Sequence, residues 1–192
     1  GAGAVCVTAR RGPAQGGREL GAAVVSSRDR STVLRAKQAA GLDLLTSGRL
    51  RLGVGIGRNW MEYEALDQDF SNRGRRIEEQ VVVLRELWSN ELVTFEGNWH
   101  HLDRIGINPL PVQRPIPIWM GSFVGSLVEK VLERTGRLAD GWMPQFPPGD
   151  LLADALDRLR GYAAADDRTS TSLNSSNLVT SEADYCSKTK TK

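Results

Sequence analysis

The chain has 192 residues, 25 Lys and Arg against 23 Asp and Glu, 40% hydrophobic residues, 20 Gly and 8 Pro, which fits an ordinary globular chain and excludes a collagen-like one. No apolar stretch approaches the roughly 18 residues that span a bilayer, and the opening GAGAVCVTARRGPAQGGREL lacks the charged-then-apolar order of a secretory signal, so a cytoplasmic location with no membrane partner is expected. A net charge of +2 spread along the chain makes nucleic acid an unexpected partner, and Cys6 and Cys186, at opposite ends with no CxxC and no histidine at ligand spacing, give neither a disulfide framework nor a metal site.

Three segments are expected. Residues 1–17 are rich in Gly, Ala and Arg without a sustained period, although Ala4 to Val7 suits a short strand. Residues 18–165 alternate strand-like and helix-like runs and form the folded domain. Residues 166–192 are Ser/Thr-rich, with too few apolar side chains to offset an ordering entropy of roughly 1–2 kcal/mol per residue, and are expected to be a disordered tail.

Within the domain, Leu20 to Val25 predicts a strand, and Leu34 to Leu45 a helix with Leu34, Ala36, Ala39, Ala40 and Leu44 on its apolar face. Gly48 to Gly57 alternates Leu50, Leu52, Val54 and Ile56 as a second strand and stops at Gly57-Arg58-Asn59, before a loop containing Met61 to Asp69. Ser71 is positioned to cap a helix running to Trp88, with Ile77, Val81, Leu84 and Trp88 on one stripe. Leu92 to Phe95 and Trp99 to Leu102 flank Glu96-Gly97-Asn98 as a hairpin, an excursion from the strand-helix rhythm in which His100 and His101 are expected to be exposed. Pro117 to Gly121 is a third strand, Ser126 to Glu129 has capping-box spacing ahead of another helix, Asp140 to Met143 is a short buried strand, and Asp150 is positioned to cap a last helix. Strands alternating with helices imply an α/β fold, an open doubly wound sheet or a closed barrel, with binding groups at the carboxyl ends of the strands.

Two of those ends carry motifs. In GVGIGRN the glycines let backbone approach a planar ring or a phosphate, or merely pack a strand and its turn. In IPIWMGSFVGS, Gly121 and Ser122 end a strand ahead of a helix, where unpaired N–H groups favour an anion, or where the helix is simply capped.

The run AKQAAGLDLLTSGRLRLGVGIGRNWMEYEALDQDFSNRGRRIEEQVVVLRELW, with FEGNWHHLD, PLPVQRPIPIWMGS and RLADGWMP following in order, resembles the bacterial-luciferase-like monooxygenases, in particular the branch that uses the deazaflavin coenzyme F420. The resemblance implies a (β/α)8 TIM barrel, of which about four of the eight strand-helix units are recognisable here, so the chain is expected to be a partial barrel and a truncated member. It further implies an oxidoreductase or monooxygenase using F420 or FMN on a small organic molecule, with Gly57, Arg58 and Asn59 on the cofactor side, Gly121 and Ser122 near its phosphate, and Met143 at the next strand end. Arg58 stands where some relatives carry a carboxylate acid, and Ser122 where the family commonly has a second glycine, so no catalytic residue is carried over. The alternative from a different class is a non-catalytic half-barrel that buries its open edge strands against another chain, a homo-oligomer included. A Rossmann-type domain is weakened because GVGIGRN is followed by a loop.

Overall fold

The computed structural model describes residues 7–10, 19–26, 31–123, 128–145 and 149–166, so most of the 1–17 and 166–192 segments, and the capping serine expected at Ser126, lie outside the described residues. The chain divides into two compact units, Gly1–Ile118 and Trp119–Lys192.

In the first unit β1 (Val7–Arg10) runs antiparallel to β2 (Glu19–Ser26), and β2 runs parallel to β3 (Leu50–Gly55), with Leu20 opposite Leu50 and a register shift between Ala22 and Val25. The helix between β2 and β3, α1 (Thr32–Leu45), buries Arg35, Ala36, Ala39, Ala40 and Asp43. Leu34 and Leu44, expected on that face, are 46% and 37% exposed instead. The reason is contact distance: the alanine face lets the large side chain of Trp88 come close enough for its indole N–H to donate to the Ala36 carbonyl at 3.1 Å, and a leucine there would hold the helices apart.

The loop expected after β3 contains a short helix, α2 (Trp60–Ala65). It is followed by α3 (Arg73–Ser89), in which the expected stripe of Ile77, Val81, Leu84 and Trp88 is fully buried together with Gln80, Val83 and Leu87. Its cap position is taken by Asn72 rather than Ser71, because the Ser71 amide and hydroxyl both donate to Asp69, at 2.8 and 2.9 Å. Those two bonds hold the Asp69 carboxyl below its ordinary range.

The excursion is the hairpin β4 (Val93–Glu96) and β5 (His101–Ile105), antiparallel with Phe95 opposite Leu102. His101 is exposed, as expected, and touches Glu96. His100 is not exposed: its side chain is 11% accessible, held between Glu79 of α3 at 2.7 Å and the Thr32 hydroxyl of α1 at 2.6 Å. The carboxylate can only accept, so Nδ1 carries the hydrogen and Nε2 faces the threonine. Glu79 also accepts from the amides of Asn98 and Trp99 at 2.8 and 2.9 Å. A Cβ on Gly97 would lie 2.6 Å from the Glu79 carboxyl carbon, so the turn is glycine because the carboxylate occupies that space. After the hairpin the proline-rich return is tied down by Gln113, whose amide and side-chain nitrogen donate to the buried Asp43 carboxylate at 2.8 and 2.7 Å. Leu52 then donates to the Pro117 carbonyl at 2.9 Å.

In the second unit β6 (Ile118–Phe123) and β7 (Gly141–Gln145) are parallel, with Gly121 opposite Met143 and Ser122 opposite Pro144. They alternate with α4 (Glu129–Leu138) and α5 (Asp150–Ala165), and Leu132, Trp142, Leu152, Leu156 and Leu159 make the core between helices and strands. The cap positions of α4 and α5 are Val128 and Gly149, so Asp150 is the first helical residue of α5 and not its cap. Gly136 admits the close approach of α4 to α5, since a Cβ there would meet the Tyr162 Cβ at 2.7 Å.

Two outcomes follow from this packing. Burial pushes the Glu79 carboxyl up, but His100 and the Trp99 and Asn98 amides together outweigh it and hold the group below its ordinary range. A depressed folded value means that the stabilisation is complete above the unfolded value of roughly 4.3 and is lost as pH falls through the lower folded one. Glu79→Gln is expected to lower the urea midpoint at pH 7, with the gap to the parent chain narrowing as pH falls below about 4. In the second unit a Cβ on Gly141 would meet the Trp119 indole at 2.4 Å, whereas one on Gly161 in α5 meets nothing within 4 Å. Gly141→Ala is expected to destabilise by about 1–3 kcal/mol and Gly161→Ala to stabilise by about 0.5–1 kcal/mol, both read by urea denaturation.

Candidate functional site

The residues expected to serve a cofactor fall into two groups, one in each unit. Gly57, Arg58 and Asn59 form the turn after β3. Gly57 has φ +70°, in the left-handed region that a side chain disfavours, so the glycine is required for the turn itself. Arg58 is exposed. The Asn59 side chain is engaged: its Oδ1 accepts from the Met61 amide at 3.2 Å and caps α2. Tyr63 in α2 donates its hydroxyl hydrogen to the Ile56 carbonyl and packs edge-on against Phe70, ring centres 5.2 Å apart, with the Arg73 guanidinium 3.6 Å from the Phe70 centroid. The turn is thus braced from below, while Trp60 and Met61 stay 58% and 57% exposed. That apolar pair is absent from the expected site; the signal for it was two large apolar residues directly after a glycine turn.

In the second unit Gly121, Ser122 and Met143 come together at the ends of adjacent parallel strands. Alternation along each strand assigns their faces. Trp142 pairs with Met120 and packs in the core with α4 and α5, so Met120, Ser122 and Trp142 share the helix-facing side. Trp119, Gly121, Gly141 and Met143 share the other side. Ser122 is 4% exposed, and its hydroxyl oxygen accepts the Trp142 indole N–H at 2.7 Å. No residue of β6 or β7 is charged, so no carboxylate in these strands opposes an anion.

Parallel strands joined by helices, with glycine and hydroxyl groups gathered at their carboxyl ends, define an α/β protein of the barrel or doubly wound class. Comparison with known proteins decides between them: residues 19–180 match the model of the luciferase-like monooxygenase family, and the chain belongs to that family. It is 33% identical over 112 residues, 57% of its length, to an F420-dependent hydroxymycolic acid dehydrogenase of Mycobacterium tuberculosis, of which it covers 30%. It is 28% identical over 142 residues, 69% of its length, to an FMNH2-dependent dimethylsulfone monooxygenase of Pseudomonas fluorescens, of which it covers 36%. The crystal structure of the monooxygenase RslO1 from Streptomyces bottropensis superimposes with a TM-score of 0.67 and 25% identity, covering 77% of this chain and 45% of that one. The chain therefore has an α/β fold corresponding to part of a TIM barrel, and its relatives work with F420 or reduced FMN. It spans less than half the length of these relatives. No described helix is long and apolar enough to cross a membrane.

The capping bond gives a direct check on the β3 end. Asn59→Ala is expected to cost about 1 kcal/mol locally, seen as faster amide exchange at Met61 and Tyr63 while the amides of α3 keep their protection.

Proposed function

We propose that this chain supplies cofactor-binding elements of a luciferase-like oxidoreductase that uses F420 or FMN on a small organic molecule. The observation that carries the reading is the pairing of Gly121 and Ser122 with Met143 and Pro144 at the ends of two parallel, uncharged strands. In a fold of this class the strand ends are where ligands bind. Glycine leaves the backbone of β6 open at that point, and backbone amides are donors suited to a phosphate. The donor set fits the phosphate that both cofactors carry.

Each residue group then has a task, taken within its own unit. In the second unit the backbone at Gly121 and Ser122 holds phosphate, and Met143, on the same face as Gly121, offers an apolar, adaptable contact. In the first unit Gly57 leaves the backbone after β3 open to a ligand, with Arg58 as a cation next in the turn and Asn59 fixing that turn through its cap. Bound, a reduced deazaflavin supplies a hydride and a reduced flavin supplies electrons for oxygen activation; the protein's share is binding, orientation and exclusion of water. Because the chain spans less than half of its relatives, a second reading keeps its place: a non-catalytic half-barrel completed by another chain, a second copy included.

The test is a titration of the full chain with FMN and with riboflavin, followed by flavin fluorescence, alongside cofactor oxidation and the oligomeric state by light scattering. The expected result is a preference for FMN that Ser122→Asp removes by placing a carboxylate beside the phosphate, weakening FMN by at least about 10-fold and leaving riboflavin unchanged. Equal binding of the two flavins by the parent chain overturns the phosphate assignment. Binding without turnover in an assembled dimer favours the second reading.

A further inference from the structure

We infer that Trp60 and Met61 form the substrate contact at the end of β3, and that the substrate they take is an apolar organic molecule carrying no negative charge. The inference rests on the oxidoreductase reading above and deepens it by naming the substrate class.

The observation is the way α2 is turned. At 3.6 residues per turn, Trp60, Met61, Glu64 and Ala65 fall on one side of this six-residue helix. All four are exposed, with more than half of the Trp60 and Met61 surfaces in water, at 58% and 57%. Tyr63, which points away from them, is buried. Tryptophan has the larger apolar surface of the two aromatic residues, so hydrophobic packing alone favours turning the helix the other way. The tyrosine hydroxyl decides otherwise: it donates to the Ile56 carbonyl just beyond β3, and its ring meets Phe70 edge-on. Asn59 fixes the start of the helix by accepting from the Met61 amide, and Gly57, at φ +70°, supplies the turn that leads into it. Three separate local fixings thus hold two adjacent large apolar side chains outward. Leu45 and Val82 are exposed as well, but they lie at the end of α1 and within α3. Trp60 and Met61 follow the carboxyl end of a parallel strand, which is where folds of this class take ligands.

The side chains define what fits. An indole offers a flat, rigid apolar surface, and a methionine an unbranched, polarisable one that adapts to shape. Glu64, four residues on from Trp60, puts a carboxylate on the same side of the helix. A carboxylate there repels a carboxylate or phosphate on the ligand and accepts a hydrogen from a hydroxyl or an ammonium. The face therefore takes an apolar alcohol, ketone or amine in preference to an organic acid or a phosphate ester.

The experiment measures, by equilibrium dialysis at pH 7, the affinity of the full chain for three probes that share one ring system: 2-naphthylmethanol, 2-naphthylmethylammonium and 2-naphthoate. The alcohol and the ammonium are expected to bind, and the naphthoate to bind roughly 3- to 10-fold more weakly than the alcohol. Trp60→Ser is expected to weaken the alcohol roughly 10-fold and Met61→Ser roughly 3-fold, while Val82→Ser, at an exposed apolar position elsewhere, changes nothing. Glu64→Gln is expected to bring the naphthoate to within about 2-fold of the alcohol. Because the two apolar side chains point outward, neither serine variant lowers the urea midpoint; a collapse of the midpoint overturns the outward placement. No binding of the alcohol, equal binding of all three probes by the parent chain, or as large a loss from Val82→Ser as from Trp60→Ser overturns the inference. A dimer seen by light scattering that Trp60→Ser dissociates assigns the pair to an interface between copies and overturns it too. Flavin binding without probe binding overturns this inference alone, whereas probe binding without flavin binding overturns the cofactor reading and leaves the apolar site standing.

Discussion

A carboxylate sealed from water has to be given hydrogen-bond donors, and in the first unit that requirement decides how the excursion is held. Asp43 is fully buried on α1 and takes both its donors from Gln113, so the proline-rich return must pass directly over the helix. The Gln113 side chain bonds the Leu50 carbonyl as well, at 2.8 Å, which ties the same loop to β3. Glu79 does for the hairpin turn what Asp43 does for the return, accepting two amides and one imidazole. The chain between Asn90 and Pro115 is thus fastened at two carboxylates, buried Asp43 and part-buried Glu79, and Gln113 ties the return to β3 as well.

The regular elements were legible because their patterns are long. The stripe from Ile77 to Trp88 repeats over about three turns, and β3 alternates without interruption, so neither depends on knowing the neighbours. The hairpin was legible from Glu96-Gly97-Asn98, although the reason for its glycine was not: it is the Glu79 carboxyl, eighteen positions earlier, that fills the space of a Cβ. Elements that answer to a distant partner were misread. The buried face of α1 is chosen by Trp88, which turns Leu34 and Leu44 outward. His100 has neighbours, Thr32 and Glu79, that only the fold brings within reach. A six-residue helix such as α2 carries too short a period to be recognised, and the capping role of Asn59 goes unseen for the same lack of signal.

At the strand ends, the placement of Gly121, Ser122 and Met143 was legible through the strand-helix rhythm, whereas their division between two faces was not. A single residue's shift in a strand moves a side chain from one side of the sheet to the other. Met143 and Trp142 are neighbours in sequence, yet Met143 lies on the face of Gly121 while Trp142 is spent on the core. Ser122 belongs to the core side with Trp142. A glycine at 122 would remove the hydroxyl oxygen that accepts the Trp142 indole N–H.

That last point constrains how such a site can change. A buried hydrogen bond to an indole contributes about 0.5–1.5 kcal/mol, so Ser122 and Trp142 form a unit in which a change at one is felt at the other. The cost is set by the core, through the helices that fix Trp142, and not by the ligand. The same coupling means that substitutions in α4 or α5 that tilt the Trp142 ring reach the strand end, because Leu132, Leu152 and Leu159 hold the indole whose nitrogen Ser122 depends on.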